Sequence, residues 1–204
     1  MLNKMPRYGM VIDLKRCVGC MACTIACKVE NGTRLGIFWT RVEDQITGKY
    51  PSVNRSFLPL LCMQCEDPAC VAVCPTGASY KREDGIVLID YDKCMGCRYC
   101  IIACPYGARY INWKTDGYFG AELTPYEEIK YQKHSARVVE KCTFCYHRIE
   151  KGKEPLCVET CPTKARHFGD LEDPKSEVSQ LISSRHGQQL HPEFGTKPSV
   201  YYLR

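Results

Sequence analysis

The chain has 204 residues and a mass of 23.3 kDa, with 45% hydrophobic and 25% charged residues. That is enough for one or two compact domains burying about 70% of the unfolded surface, and it excludes a disordered or collagen-like chain. Sixteen residues are cysteine and the formal net charge is +5. No apolar stretch approaches the roughly 18 residues of a membrane-spanning helix; the longest, Phe57 to Met63 and Cys100 to Ala103, are short and end at proline or polar residues.

From the N-terminus, Met1 to Leu14 lacks a charged segment followed by an apolar one, and the chain contains no twin-arginine pair, so export is expected only on a signal carried by another chain. An apolar strand from Val11 leads into Cys17, and because Lys28 rather than proline follows Cys27, the helix there is expected to run on through Val29 and Glu30. Asn31 to Leu61, with Phe38, Trp39 and Tyr50, reads as structured packing that covers the surface, with a partner-docking surface as the alternative. Ala78 to Lys81 and Ile86 to Asp90 flank Asp84-Gly85, a hairpin signal. Ile111 to Lys141 is polar, with aromatic residues Trp113, Tyr118, Phe119, Tyr126 and Tyr131, and reads as surface covering or as a surface for docking a partner. Phe168 to Pro174 is turn-rich, Val178 to Ser184 predicts a short helix, and Val200 to Leu203 predicts a wrap or an edge strand. Short strands and helices thus alternate in an α+β arrangement with little regular structure.

The cysteines fall into four quartets: Cys17, Cys20, Cys23, Cys27; Cys62, Cys65, Cys70, Cys74; Cys94, Cys97, Cys100, Cys104; and Cys142, Cys145, Cys157, Cys161. Each opens with C-x2-C and closes with C-x3-C, and none is left over. A disulfide framework would strain thiols spaced two residues apart. Zinc takes four ligands on one ion, usually from two separated C-x2-C pairs, whereas the first and third quartets crowd three thiols into seven residues. The run C-x2-C-x2-C-x3-C-P is an iron-sulfur signature whose fourth cysteine serves another cluster. Pro75, Pro105 and Pro162 follow the last cysteine of their quartets, where the ring bars that cysteine from continuing a helix. Cys27, one helical turn or about 5.4 Å beyond Cys23, is likewise expected to serve a different centre.

VIDLKRCVGCMAC (Val11 to Cys23) parallels LIDYDKCMGCRYC (Leu88 to Cys100), an internal repeat in which Gly19 and Gly96 free the backbone to curl around a cluster. Metal ligation is expected to supply much of the stability. The positive formal charge is then internal compensation, because sixteen thiolates on four clusters of core charge about +2 would bring the chain to about −3. No zinc-finger, RNP or basic-helix pattern supports nucleic-acid binding.

The strings YGMVIDLKRCVGCMACTIACK, CMQCEDPACVAVCPTGASY, CMGCRYCIIACPYGARY, KCTFCYHRIEKGKEPLCVETCP, FGDLEDPKS and GTKPSVYYL span nearly the whole chain. They resemble the four-cluster iron-sulfur subunits of molybdopterin oxidoreductases, the group that includes dimethyl sulfoxide, polysulfide, thiosulfate, tetrathionate and arsenate reductases. The resemblance implies two ferredoxin-like two-cluster modules related by internal duplication, with extra loops and a C-terminal extension. One is discontinuous, from 1–50 plus 111–204, around an inserted one at 51–110. It also implies four [4Fe-4S] clusters: cluster a on Cys17, Cys20, Cys23 and Cys161; cluster b on Cys27, Cys142, Cys145 and Cys157; cluster c on Cys62, Cys65, Cys70 and Cys104; cluster d on Cys74, Cys94, Cys97 and Cys100. Spacing alone supports exchange between quartets, while the choice of partners comes from the resemblance.

No Walker, Rossmann or G-x-S-x-G pattern and no spare cysteine points to catalysis in this chain. The expected function is that of a non-catalytic electron-transfer subunit. It would pass single electrons between a molybdenum or tungsten catalytic subunit and a quinone-linked membrane subunit or other carrier, in anaerobic respiration of a sulfur or arsenic oxyanion or similar acceptor. A periplasmic complex, or one at the outer face of the cell membrane, follows from the resemblance, with a cytoplasmic location as the alternative. The rivals are a cytoplasmic polyferredoxin of a hydrogenase or formate dehydrogenase, and a cluster-stabilised structural or sensing protein. Lys28, Arg98 and Arg148 are candidates for tuning cluster potentials. His134, His147, His167, His186 and His191 read as surface residues or as hydrogen-bonding neighbours of ligands.

Overall fold

A computed structural model describes residues 5–114 and 116–204, apart from the side chain of Lys133; Met1 to Lys4 of the N-terminal stretch lie outside the described residues. The strands are β1 (Tyr8–Asp13), β2 (Thr40–Lys49), β3 (Ser52–Leu61), β4 (Ser79–Lys81), β5 (Val87–Ile89), β6 (Tyr110–Ile111), β7 (Val139–Glu140), β8 (Arg166–Asp170), β9 (Gln188–Gln189) and β10 (Val200–Leu203). The helices are α1 (Ala22–Asn31), α2 (Ala69–Ala72), α3 (Tyr99–Ile102), α4 (Pro125–Lys130), α5 (Tyr146–Ile149), α6 (Leu156–Glu159) and α7 (Glu177–Ser184). Mixed short helices and small sheets make this an α+β chain. Among the described residues no helix is long and apolar enough to cross a membrane.

Met10, Val11 and Ile12 form an unbroken apolar run, which suits a strand covered on both faces. The run is the centre of a four-stranded sheet of order β8-β1-β10-β9, with β1 parallel to β10 and antiparallel to β8. Met10, Ile12, Val200 and Tyr202 enter the main core with the cysteines, while Val11 and Leu203 pack on the other face against Val178 of α7. Val200 to Leu203 is therefore an interior strand, not the wrap or edge strand expected. Its partner β1 lies at the opposite end of the sequence, so nothing local reveals the pairing. The helix expected over Val178 to Ser184 is present, opened by Ser176, whose hydroxyl accepts from the Ser179 N–H.

Asn31 to Leu61 is mostly a long two-stranded ribbon, Thr40 opposite Leu61 through Lys49 opposite Ser52. Its root is buried with Trp39, whose Nε1 donates to Glu140 Oε2 at 3.3 Å. Tyr50 at the turn is 92% exposed, so it packs nothing. The hairpin expected around Asp84-Gly85 is β4-β5, with Ser79 opposite Ile89. Helices α2, α3 and α6 each stop two residues before Cys74, Cys104 and Cys161, where Pro75, Pro105 and Pro162 forbid continuation. By contrast, α1 runs past Cys27 to Asn31 and closes with the Gly32 N–H donating to the Lys28 carbonyl at 2.9 Å.

Candidate metal-cluster sites

The loops that carry the cysteines are bent by residues in the left-handed region. Gly19 and Gly96 hold φ of 67° and 72°, and a Cβ would run into the Phe57 ring at the first and into the Arg137 carbonyl at the second. Both glycines are therefore required by conformation and by space. Met21 and Arg98, each directly after the second cysteine of its quartet, also hold positive φ and turn the chain into α1 and α3. That strain, on the order of 1–3 kcal/mol per residue, is maintained by the surrounding structure.

These bends gather the sixteen thiols four by four. Cys17, Cys20, Cys23 and Cys161 line one small pocket, and Cys74, Cys94, Cys97 and Cys100 line another. Burial drives the Cys27 thiol well above its ordinary value, and the neighbouring Cys142, Cys157 and Cys145 sulfurs push it further. Asn31 joins that group, its Nδ2 lying 3.5 Å from Cys27 Sγ and 3.9 Å from Cys145 Sγ. Cys65 is pushed up to about 12 by burial and by Cys62, with Cys70 and Cys104 beside it. Each group takes three sulfurs from one quartet and the fourth from another. Among the described residues no three His, Cys, Asp or Glu side chains converge on a single ion.

Two last cysteines behave differently. Burial acts to raise Cys74 and Cys161, but turn N–H groups aimed at the sulfur outweigh it and hold both thiols below their ordinary value. The Ser79 N–H donates to Cys74 Sγ at 3.4 Å and the Ala165 N–H to Cys161 Sγ at 3.3 Å. The turn Cys-Pro-Thr-x-Ala thus preorganises donors for a thiolate.

Of the cations expected near the thiols, Arg98 stacks over Trp113 and Arg148 pairs with Glu30 and Glu159. Lys28 donates to the carbonyls of Thr33, Arg34 and Ile37, and burial lowers its pKa to about 8. The guanidinium groups that touch sulfur are instead Arg109, on Cys70 at 2.9 Å, and Arg166, on Cys23 at 3.4 Å. The repeated string C-P-x-x-A-R, Cys104 to Arg109 and Cys161 to Arg166, carried that signal. His134 is buried, its ring hydrogen-bonded to the Asn31 carbonyl at 2.7 Å. His147, His167 and His191 pair with Glu30, Glu177 and Glu193.

Comparison with known proteins agrees with this geometry. The 4Fe-4S dicluster domain family matches residues 53–120 and 118–171, and a 4Fe-4S binding domain matches 14–30. The chain is 50% identical to the B subunit of selenate reductase from Mesobacillus selenatarsenatis, across 97% of this chain and 72% of the relative. It is 43% identical to the arsenate respiratory reductase iron-sulfur subunit of Shewanella sp. strain ANA-3, across 97% and 96%. With the B component of polysulfide reductase from Wolinella succinogenes it shares 40% identity, across 97% and 94%. The chain belongs to this family of reductase iron-sulfur subunits. As a member, it is an electron-transfer subunit that binds 4Fe-4S clusters, and the gathered thiols are the groups suited to hold them.

Proposed function

We propose that this subunit carries four [4Fe-4S] clusters and relays single electrons along them between a molybdopterin-containing catalytic subunit and a quinone-linked membrane subunit or other carrier. The ligands are Cys17, Cys20, Cys23 and Cys161; Cys27, Cys142, Cys145 and Cys157; Cys62, Cys65, Cys70 and Cys104; and Cys74, Cys94, Cys97 and Cys100. The observation that carries the reading is the gathering of sixteen thiols into four groups of four with none to spare. Each bound cluster supplies a one-electron change; the protein positions it, donates hydrogen bonds to its sulfur ligands and excludes water.

Neighbour relations between the groups support a linear order. Arg166 spans Cys23 and Cys157, Cys62 is among the sulfurs that raise Cys142, and Arg109 spans Cys70 and Cys100. The series of centres then runs a, b, c, d. Its two ends carry exposed apolar residues, Val18, Met21 and Ile25 beside the first site and Met95, Tyr99 and Ile102 beside the last. Such surface at both ends suits a donor at one and an acceptor at the other. Clusters a and b would form the discontinuous module (1–50 plus 111–204), and c and d the inserted one (51–110), the pair having arisen by duplication. The subunit has no catalysis of its own in this reading. The names of the relatives point to a selenium, arsenic or sulfur oxyanion, or a comparable acceptor, reduced by the partner.

Anaerobically purified protein is expected to hold about sixteen iron and sixteen sulfide per chain. Electron paramagnetic resonance of Cys27→Ser, Cys145→Ser, Cys20→Ser and Cys161→Ser tests the ligand sets. The first two are expected to perturb one common signal and the last two another. If Cys27→Ser and Cys20→Ser share a signal that Cys145→Ser leaves intact, each quartet holds its own cluster and the exchanged assignment is wrong.

A further inference from the structure

Three cations are buried among the thiols: Arg166 at 3%, Arg109 at 4% and Lys141 at 1% exposure. Arg166 donates through Nη2 to Cys23 Sγ at 3.4 Å and Thr40 Oγ1 at 3.0 Å, and through Nη1 to Cys157 Sγ at 3.7 Å and Met10 Sδ at 3.8 Å. Arg109 donates through Nη2 to Cys70 Sγ at 2.9 Å and through Nη1 to Ser79 Oγ at 2.7 Å, and it lines the same pocket as Cys100, on whose sulfur its charge acts. The Lys141 Nζ donates to the Cys142 carbonyl at 2.7 Å, and its charge acts on both Cys142 and Cys70. Among the described residues no carboxylate pairs with any of the three.

A cation taken out of water without a counter-ion costs several kcal/mol. The acceptors that Arg166 and Arg109 share among the described residues are cysteine sulfurs, and a thiolate-ligated [4Fe-4S] centre held by them would total about −2 when oxidised and −3 when reduced. Each cation also touches or faces sulfurs from two different groups. Arg166 reaches Cys23 and Cys157, Lys141 lies by Cys142 and Cys70, and Arg109 reaches Cys70 and Cys100. The two arginines are anchored alike, one by the Thr40 hydroxyl and the other by the Ser79 hydroxyl.

We propose that Arg166, Lys141 and Arg109 are shared counter-ions, one at each of the three junctions between neighbouring clusters. Each stabilises the reduced form of both clusters it adjoins and screens the repulsion between them. Two adjacent centres can then hold an electron at once, which keeps a linear relay from blocking behind a reduced centre. The inference rests on the four-cluster assignment above.

The test is a redox titration of the anaerobic full-length protein followed by electron paramagnetic resonance, with iron and sulfide measured on every sample. The signals are assigned by Cys20→Ser, Cys145→Ser, Cys65→Ser and Cys97→Ser. R166Q is expected to lower the potentials of clusters a and b, K141M those of b and c, and R109Q those of c and d. Each shift should cut the reduced-to-oxidised ratio at a fixed solution potential by about tenfold, or about 59 mV for a one-electron couple. R166K and R109K should recover most of the shift. A change confined to one cluster, equal changes in all four, or no change overturns the proposal. Should an arginine variant lose iron, T40V and S79A keep the charge and release its anchor; they are expected to move the same cluster pairs by less, and no movement in either pair also overturns it. Wild-type protein with clearly fewer than sixteen iron would instead refute the underlying assignment.

Discussion

The cysteines of residues 17–27 and 142–161 and those of residues 62–104 share the opening C-x2-C and closing C-x3-C spacings on different foundations. The first set is rooted beside the four-stranded sheet, and Cys23, Cys27, Cys142, Cys145 and Cys157 are buried. In the second set only Cys62 and Cys100 are buried, and the sheet within residues 62–104 is a hairpin of three residues per strand. Helix α1 buries Cys23, Thr24, Ala26 and Cys27, whereas α2 buries no residue. Where apolar burial is scarce, ligation must supply the stability that packing supplies elsewhere.

The harshest way to break this comparison is to remove the iron. Anaerobic chelation is expected to abolish amide protection throughout 62–104 while the amides of β1, β8 and β10 keep measurable protection in hydrogen exchange. Equal loss in both regions would mean that the sheet, too, depends wholly on metal. Next in size is Ile12→Ala, which opens a cavity beneath the sheet and should cost about 2–5 kcal/mol. Ile102→Ala, at an exposed position beside the other set of thiols, should stay within about 0.5 kcal/mol. Denaturant midpoints of the holo protein separate the two outcomes.

The smallest effect lies in the segment between the third and fourth quartets. Thr124 caps α4 in a reciprocal capping box with Glu127, so Thr124→Ala should cost about 1 kcal/mol. Both sets of cluster signals should be unchanged. Backbone and hydroxyl donors from Thr124 and Tyr118 hold the Glu127 carboxyl at about 2, below its ordinary 4.5. Its contribution is therefore complete above pH 4.5 and is lost as the pH falls toward 2. Exchange rates of the α4 amides in wild type and Glu127→Gln, followed through that window, check the sign: the variant should lack the acid-dependent step.

The metal chemistry was legible because cysteine spacing is a local property, and so were the β4-β5 hairpin, the C-terminal helix and the stops at Pro75, Pro105 and Pro162. The relations between distant segments were not. Val200 to Leu203 looked like an edge because its partner Met10 to Asp13 is at the other end of the sequence. The β2-β3 ribbon is not legible because Glu43, Asp44, Gln45, Asn54, Arg55 and Ser56 interrupt any apolar alternation along its two strands. Charge beside a cysteine in sequence was only part of the signal. Lys28 and Arg148 bond to carbonyls and carboxylates while their charges act on Cys27 and Cys145, whereas Arg109 and Arg166, five residues after the last cysteine of their quartets, are carried back onto the sulfurs by the Cys-Pro turn.

The parallel pairing of β1 with β10 also sets a timetable. Translation at about 5–20 residues per second leaves the thiols of residues 17–27 outside the ribosome for on the order of ten seconds before residue 142 follows, and β1 acquires its parallel neighbour only after residue 203. The eight cysteines of 62–104 emerge together and can be loaded while synthesis continues. On the proposed ligand sets, the sites within residues 62–104 can thus be filled before those that need residues 142–161, and the nascent chain meanwhile holds unshielded thiols at its leading end.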